Sequence, residues 1–280
     1  MVDCSSLESV FRGHPCSGLH EWVYTWLVTS PHVVFAIGDA IGGGASPAVF
    51  AQVTQEAEAI VYLGDCYLDG LPEEWAKLDR DYPAWIKPLL RPTPGNHDWP
   101  NRADGYDPYF AYLGLPNQAH NYSFRVGAWK FIALNSMAAG DPDPGQAQFD
   151  FVRAELDEPG TMKIVYCHHA PYSSDTSHGD NPTVQPVLGL MEGKAILHMA
   201  GHSHGMEEFS PRNGVTTIVQ GAGGRALYSF EPRPDSAWFD NSHFGLCRLT
   251  LHDEGDLIVD WLDQTGALLH TTQLAAQPSN

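Results

Sequence analysis

The chain has 280 residues, of which 43% are hydrophobic, and 34 acidic against 15 basic residues give it a formal net charge of −19. A chain of this length and apolar content can bury a large core without disulfide bonds. The negative charge opposes a polyanionic partner, so we expect no binding to nucleic acid or to an anionic membrane surface.

The chain carries no signs of membrane insertion or export. Its longest apolar runs are too short to span a bilayer, and the N-terminal residues lack a basic start followed by a small-residue cleavage site. Five cysteines cannot all pair, which favours a reduced compartment. We therefore expect a cytoplasmic protein, with export left open if a leader precedes this sequence. The sequence does not indicate the oligomeric state.

Short apolar strands alternate with helical stretches in the first two thirds of the chain. Strands are predicted at 32–37, 59–63, 89–93, 163–167 and 195–200, each followed by Gly, Pro or a polar side chain. Helices are predicted at 47–59, 72–87 and 146–158. This alternation predicts an α/β domain with a largely parallel sheet.

A second group of strands has the pattern of antiparallel pairing. Segments 121–124 and 129–135 flank Gly127 and Ala128 as a hairpin, and further strands are predicted at 215–219, 246–251, 257–262 and 267–274. We expect these strands to form a second sheet stacked on the first, completed by the C-terminal strands. The interpretation is one domain over 1–280, with its motifs between about 32 and 225.

Five peptides end an apolar run with side chains that bind metals. They are Ile37-Gly38-Asp39, Leu63-Gly64-Asp65, Gly95-Asn96-His97-Asp98, Val165-Tyr166-Cys167-His168-His169 and Gly201-His202-Ser203-His204. Oxygen donors and imidazoles delivered to the carboxyl edge of a sheet indicate a site for two first-row metals. Taken alone, each aspartate that follows a glycine could instead cap a helix or close a turn. The pair His202 and His204 is stronger, because residues i and i+2 of an extended backbone face the same side.

The ordered blocks resemble the calcineurin-like metallophosphoesterase superfamily, above all its purple acid phosphatase-related branch. The resemblance is carried by Gly38-Asp39-Ala40-Ile41, Gly64-Asp65-Cys66-Tyr67-Leu68, Gly95-Asn96-His97-Asp98, His169-Ala170-Pro171 and Gly201-His202-Ser203-His204. It implies an α/β fold, namely a four-layer α/β/β/α sandwich of two mixed β-sheets flanked by helices.

The resemblance also implies six ligands for two divalent or trivalent ions of Fe, Mn or Zn. Asp65 would bridge both metals, Asp39 and His204 would complete the first, and Asn96, His169 and His202 would hold the second. His169 is preferred to His168 because it precedes Pro171 by two positions, as the ligand does in the family. His168 would then point the other way and lie in the core or behind a ligand.

Two positions depart from the family pattern. Ile41 stands where many members have a ligating histidine, and Leu68 stands where the purple enzymes have a ligating tyrosine. The first metal therefore has fewer protein ligands, and we expect no purple Fe(III) charge-transfer colour.

The implied chemistry is hydrolysis of a small-molecule phosphate ester by attack of a metal-bound hydroxide. His97 is the candidate proton donor to the leaving group, Asp98 would orient it, and His178 could contact the phosphate. Arg225, after the Gly221–Gly224 segment, is a candidate anion-binding residue. We expect a phosphomonoesterase. The alternatives are a phosphodiesterase with the same metals, or a metal-binding relative with weakened or lost catalysis.

Overall fold

Two mixed β-sheets form the centre of the protein. The structure is a computed structural model that describes residues 30–40, 42–66, 72–98, 107–115, 120–136 and 144–276. Within it, the chain from Pro31 onward forms one compact unit. The helices among the described residues are all too short or too polar to span a membrane.

The first sheet has six strands in the order β13-β12-β11-β1-β2-β3. Its strands are β1 (His32–Ile37), β2 (Ala57–Tyr62), β3 (Leu90–Pro92), β11 (Gly245–Leu251), β12 (Asp256–Asp263) and β13 (Leu268–Ala275). β1, β2 and β3 run parallel, whereas β11 pairs antiparallel with β1 in the register Val34↔Leu249. The sheet is therefore parallel at one end and antiparallel at the other.

The second sheet has seven strands in the order β10-β8-β9-β7-β6-β5-β4. Its strands are β4 (Tyr122–Val126), β5 (Trp129–Ala133), β6 (Met162–Tyr166), β7 (Leu197–Ala200), β8 (Met206–Arg212), β9 (Val215–Gln220) and β10 (Ser236–Asp240). β5, β6, β7 and β9 are parallel, and the flanking strands are antiparallel.

Helices cover the outer faces of both sheets. They are α1 (Ser46–Phe50), α2 (Pro72–Asp81), a 3-10 turn (Lys87–Leu89), α3 (Asp107–Tyr112), α4 (Pro144–Leu156) and α5 (Gln185–Met191). Proline in the first turn of α1 and α5 fits because that position needs no amide donor. In α2, Glu73 and Glu74 lie in the first turn, where carboxylates favour the positive end of the helix dipole.

Three layers of buried apolar side chains account for this arrangement. One lies between the sheets and includes Val34, Phe131 and Trp261. A second packs the other face of the first sheet against α1, α2 and α3, and a third packs the second sheet against α4 and α5. Alternate residues of β1 face opposite layers, as strand geometry requires. The four-layer α/β/β/α sandwich is thereby confirmed.

Several details differ from the sequence prediction, and the helix expected at 72–87 already ends at Asp81. The helix expected at 47–59 ends at Phe50, because the chain must reach β2 and pair Ala57 with Val33. The strands at 246–274 do not complete the sheet of the 121–135 hairpin but join β1 in the first sheet. β8 and β10 were not predicted, since the sequence Met206-Glu207-Glu208 of β8 is read as polar although both glutamates are buried.

Hydrogen bonds to neighbouring strands and loops explain the buried glutamates of β8. Glu207 accepts from the Ser174 amide at 2.9 Å and from Ser236 Oγ at 2.6 Å, and Glu208 contacts His270 at 2.9 Å. The cysteines Cys66, Cys167 and Cys247 are unpaired and buried.

Candidate metal centre

The candidate site is formed where parallel strands of both sheets end. Asp39 follows β1, Asp65 follows β2 and Asn96 follows β3, while His168 follows β6 and His202 follows β7. The two edges are joined by a hydrogen bond from the His202 amide to Asp39 Oδ2 at 2.7 Å. Such carboxyl edges are the usual ligand-binding position of parallel sheets.

Three residues of the site have a left-handed backbone. The φ angles are +54° at Asp39, +58° at Asp65 and +68° at His202. This conformation costs a non-glycine residue roughly 1–2 kcal/mol. Strain of this kind concentrates at functional sites. Here it turns each side chain sharply off the end of its strand and into the cluster.

The first group of potential ligands consists of Asp39, Asp65 and His168, whose ligating atoms lie within 4.8 Å of one another. Asp39 Oδ1 is buried and lies 3.5 Å from His204 Nε2, and it has no hydrogen bond to any residue that the structure describes. A buried carboxylate oxygen without a donor is costly unless a cation compensates it. The donor set therefore fits a metal ion next to Asp39.

The second group consists of His168, His169 and His202, again within 4.8 Å. His168 Nε2 lies 2.9 Å from Asn96 Oδ1, 3.1 Å from His202 Nδ1 and 3.5 Å from Asp65 Oδ1. Its other nitrogen, Nδ1, lies 2.7 Å from the Leu63 carbonyl, which can only accept. The proton of neutral His168 therefore belongs on Nδ1, and Nε2 keeps the lone pair that a metal needs.

The prediction that His168 points away from the site is wrong. β6 ends at Tyr166, so the alternation of side chains along a strand does not extend to residues 168 and 169. The two imidazoles are 4.9 Å apart and nearly perpendicular. His169 Nδ1 lies 2.9 Å from Ser136 Oγ, and the His169 amide also donates to that hydroxyl at 2.9 Å.

The structure brings His202 and His204 into the site for a different reason from the one expected. The segment is a bend rather than an extended strand, and the two rings contact different neighbours. The His202 ring lies 4.3 Å from that of His169, whereas His204 faces Asp39. Between them, Ser203 Oγ donates to the buried carboxylate of Asp175.

Burial and charge set the protonation of the cluster. Burial lowers the pKa of His169 to about 2 and lowers that of His202, so both are neutral and able to ligate. Burial also opposes the charged form of His168, but the carboxylates of Asp65 and Asp39 outweigh it and raise its pKa. The pKa of Asp65 is raised, first by burial.

Asp98 braces the loops that carry Asp65 and Asn96. Its carboxylate accepts hydrogen bonds from the amides of Gly95 at 2.7 Å, Asp65 at 2.8 Å and Cys66 at 2.7 Å. The amide of His97 donates to Asp65 Oδ1 at 3.0 Å, which places His97 directly beside the cluster. These contacts give Asp98 a positioning role, and its predicted orientation of the His97 ring stays a prediction.

His178 lies on the open side of the cluster, with its ring 4.1 Å from that of His202. Its amide donates to Asp175 Oδ1 at 2.7 Å, so one carboxylate holds both the His178 loop and Ser203. Tyr228 stacks on His204 at 4.0 Å and lies 5.4 Å from the His178 ring.

The sequence analysis missed Ser136, Asp175 and Tyr228. They come from loops, and no spacing in the sequence relates them to the ligands they contact. The expected departures from the family pattern concern Ile41 and Leu68. Both residues lie outside the described part of the chain.

Residues 29–206 match the sequence model of the calcineurin-like phosphoesterase family. No match to a curated protein was found.

Solved structures with the same fold include the purple acid phosphatase PPD1 from yellow lupin seeds. That protein is 20% identical, with a TM-score of 0.71, over 88% of this chain but only 54% of its own length. GAP50 of Plasmodium, described as the anchor in the inner membrane complex, is 18% identical over 90% of both chains with a TM-score of 0.74. A dimetal phosphatase from Danio rerio is 13% identical over 88% of this chain and 99% of its own, with a TM-score of 0.60. At these identities the likeness shows the fold alone.

Proposed function

Since the chain belongs to the calcineurin-like phosphoesterase family, we propose that its cluster holds two transition-metal ions and hydrolyses a phosphomonoester. The observation that carries the proposal is the convergence of aspartate, asparagine and histidine side chains from five strand ends on one partly open site. Carboxylate, amide and imidazole donors suit Fe, Mn or Zn.

The proposed ligands combine the family resemblance with the contacts of the cluster. Asp65 would bridge the two ions, and Asp39 with His204 would complete the first, which accounts for the buried Asp39 Oδ1 without a donor in the described part of the chain. Asn96, His202 and His168 would hold the second. We prefer His168 to His169 here, because its Nδ1 is engaged by Leu63 and its Nε2 faces the other donors.

When bound, two such ions activate a water molecule and neutralise the phosphate oxygens. The chain's own residues supply orientation and a proton. His97, whose amide is fixed to Asp65, is the proposed donor to the leaving oxygen. Asp98 would keep the two loops in place through the amides of Asp65 and Gly95. His178 is the proposed phosphate contact, since its ring lies 4.1 Å from that of His202.

A monoester is preferred because its terminal phosphate carries two charges and needs several donors around it. His178 is a basic group beside the cluster that can supply such a donor, since its ring lies 4.1 Å from that of His202.

The first experiment is metal analysis of protein purified without chelator, followed by assays with 4-nitrophenyl phosphate and bis(4-nitrophenyl) phosphate. Two ions per chain and faster hydrolysis of the monoester are expected. Faster hydrolysis of the diester would make the protein a phosphodiesterase. Two ions without turnover of either ester would make it a metal-binding relative, and one ion or none would refute the dinuclear site.

A further inference from the structure

A cavity of about 470 Å³ adjoins the metal centre at His204. Its walls include Gly42, Gly44, Arg225, Tyr228 and Phe244. Volumes of this order accommodate small organic ligands. Of the proposed metal ligands, only His204 lines this cavity, so it extends sideways from the centre rather than over it.

Two of the three guanidinium nitrogens of Arg225, a residue that lines this cavity, have no hydrogen-bond partner among the described residues. These two atoms, Nε and Nη2, are buried. Nη2 lies 3.6 Å from the position that a Cβ atom on Gly42 would occupy, so it faces the glycine segment. Buried charged donors without acceptors cost several kcal/mol. A bound carboxylate or phosphate would supply the missing acceptors, since the planar guanidinium binds such anions through two parallel hydrogen bonds.

The composition of the walls supports the same conclusion. The chain contains 34 acidic residues, yet the described lining of this cavity contains none. The glycines shape the space, because a side chain on Gly43 would collide with the carbonyl of Gly224. Phe244 and Tyr228 add apolar surface against which an organic group can pack.

We propose that this cavity binds a second anionic group of the substrate, with Arg225 as the residue that recognises it. The substrate is then an organic phosphate that carries a carboxylate or another phosphate a few atoms from the ester. This inference rests on the proposed function, since the first phosphate is assumed to lie at the metal centre. It makes Arg225 a residue that determines substrate specificity.

The test compares ligands that differ only in a second charge. 3-Phosphonopropanoate and propylphosphonate differ by a carboxylate in place of a methyl group, and 4-phosphonobutanoate and butylphosphonate provide a longer pair. Binding to the metal-loaded protein is measured by titration calorimetry. The wild type should bind the carboxylate member of at least one pair about tenfold more tightly, as expected for a charge-assisted bidentate contact.

Three variants test whether the preference for the carboxylate ligand arises in this cavity. Arg225→Gln should reduce the ratio of the two dissociation constants to about one. Gly44→Asp should do the same by adding a negative charge, whereas Gly44→Asn, of equal size, should keep the ratio. Gly44 suits these changes because nothing lies within 4 Å of the position that a Cβ atom would occupy there, and its φ is outside the left-handed region.

The outcomes separate this inference from its premise. Equal affinity of both members of both pairs for the wild type would overturn the inference, even if Arg225→Gln fails to fold. A preference that survives Arg225→Gln, or is unchanged by Gly44→Asp, would also overturn it. If the proposed function is wrong, the protein should bind none of the phosphonates and should not hydrolyse 4-nitrophenyl phosphate. That result would overturn the inference as well.

Discussion

His168 Nε2 lies 2.9 Å from Asn96 Oδ1, although the two residues are 72 positions apart in the sequence. In the neutral tautomer that the Leu63 carbonyl favours, Nε2 and the amide oxygen both present lone pairs to this site, as two ligands of one cation would. The contact is the reason for proposing as a ligand His168, which the sequence prediction placed away from the site.

We therefore expect His168→Asn and His169→Asn to differ. His168→Asn should lose about one of the two metals and lower kcat/KM by about 100-fold or more. His169→Asn should retain both metals, because the contacts to Asn96 and Asp65 are made by His168. Elemental analysis of the two purified variants gives the result. Loss of metal from the His169 variant alone would reverse the assignment.

A second pair of variants distinguishes metal binding from proton transfer. Asp65→Asn should lose both the metals and the activity, since it removes the proposed bridging carboxylate. His97→Ala should keep the metals and lower kcat by about 100-fold or more, as expected for removal of a general acid. Metal content and turnover of 4-nitrophenyl phosphate are the measurements. Full activity in either variant would contradict the mechanism.

Asp98 should contribute strongly to stability. Asp98→Ala leaves the buried amides of Gly95, Asp65 and Cys66 without their acceptor. We expect a loss of about 3 kcal/mol or more in the free energy of unfolding, measured by urea denaturation. Asp150→Ala is the matched control, because its pair with Arg153 is exposed and should contribute less than about 1 kcal/mol. Similar losses in the two variants would refute the bracing role.

Asp175 should act on the reaction through His178. Asp175→Ala frees the His178 amide and the Ser203 hydroxyl, and should raise KM for the phosphate ester as His178→Ala does. The double variant should be little worse than either single variant, since both remove the same positioned ring. Asp175→Asn keeps an acceptor and should restore part of the activity. Additive effects on KM would show that Asp175 only stabilises the fold.

Stability should depend on pH through His32, far from the metals. Burial lowers the pKa of His32, but the hydrogen bond to Glu58 at 2.7 Å and the charges of Glu58 and Asp253 outweigh it and raise the pKa. The stabilisation is complete below the unfolded pKa of about 6.5 and is lost as pH rises through the higher folded pKa. The difference in Tm between wild type and His32→Gln should therefore be largest near pH 6 or below and shrink towards pH 9. A constant difference would rule out the ion pair as its cause.

Local patterns predicted the strands that deliver ligands but not how they pair. β1 begins and ends where its apolar run does, and Asp39 and Asp65 were identified from the glycines before them. The choice between His168 and His169 depends on the turn after β6, and the partner of β11 depends on long-range packing. β8 was missed because hydrogen bonds from distant residues make its buried glutamates tolerable. The state of the Arg225 guanidinium, with two nitrogens unpaired among the described residues, arises only in the folded cavity.

The pairing of β1 with β11 also fixes when the centre can be assembled during synthesis. β1, which carries Asp39, can pair with β2 early, but its other neighbour, β11, is made only when most of the described residues have left the ribosome. Asp65 and Asn96 emerge early, but the sheet that aligns them is still open on one side. Complete alignment of the centre therefore has to wait until β11 has been synthesised.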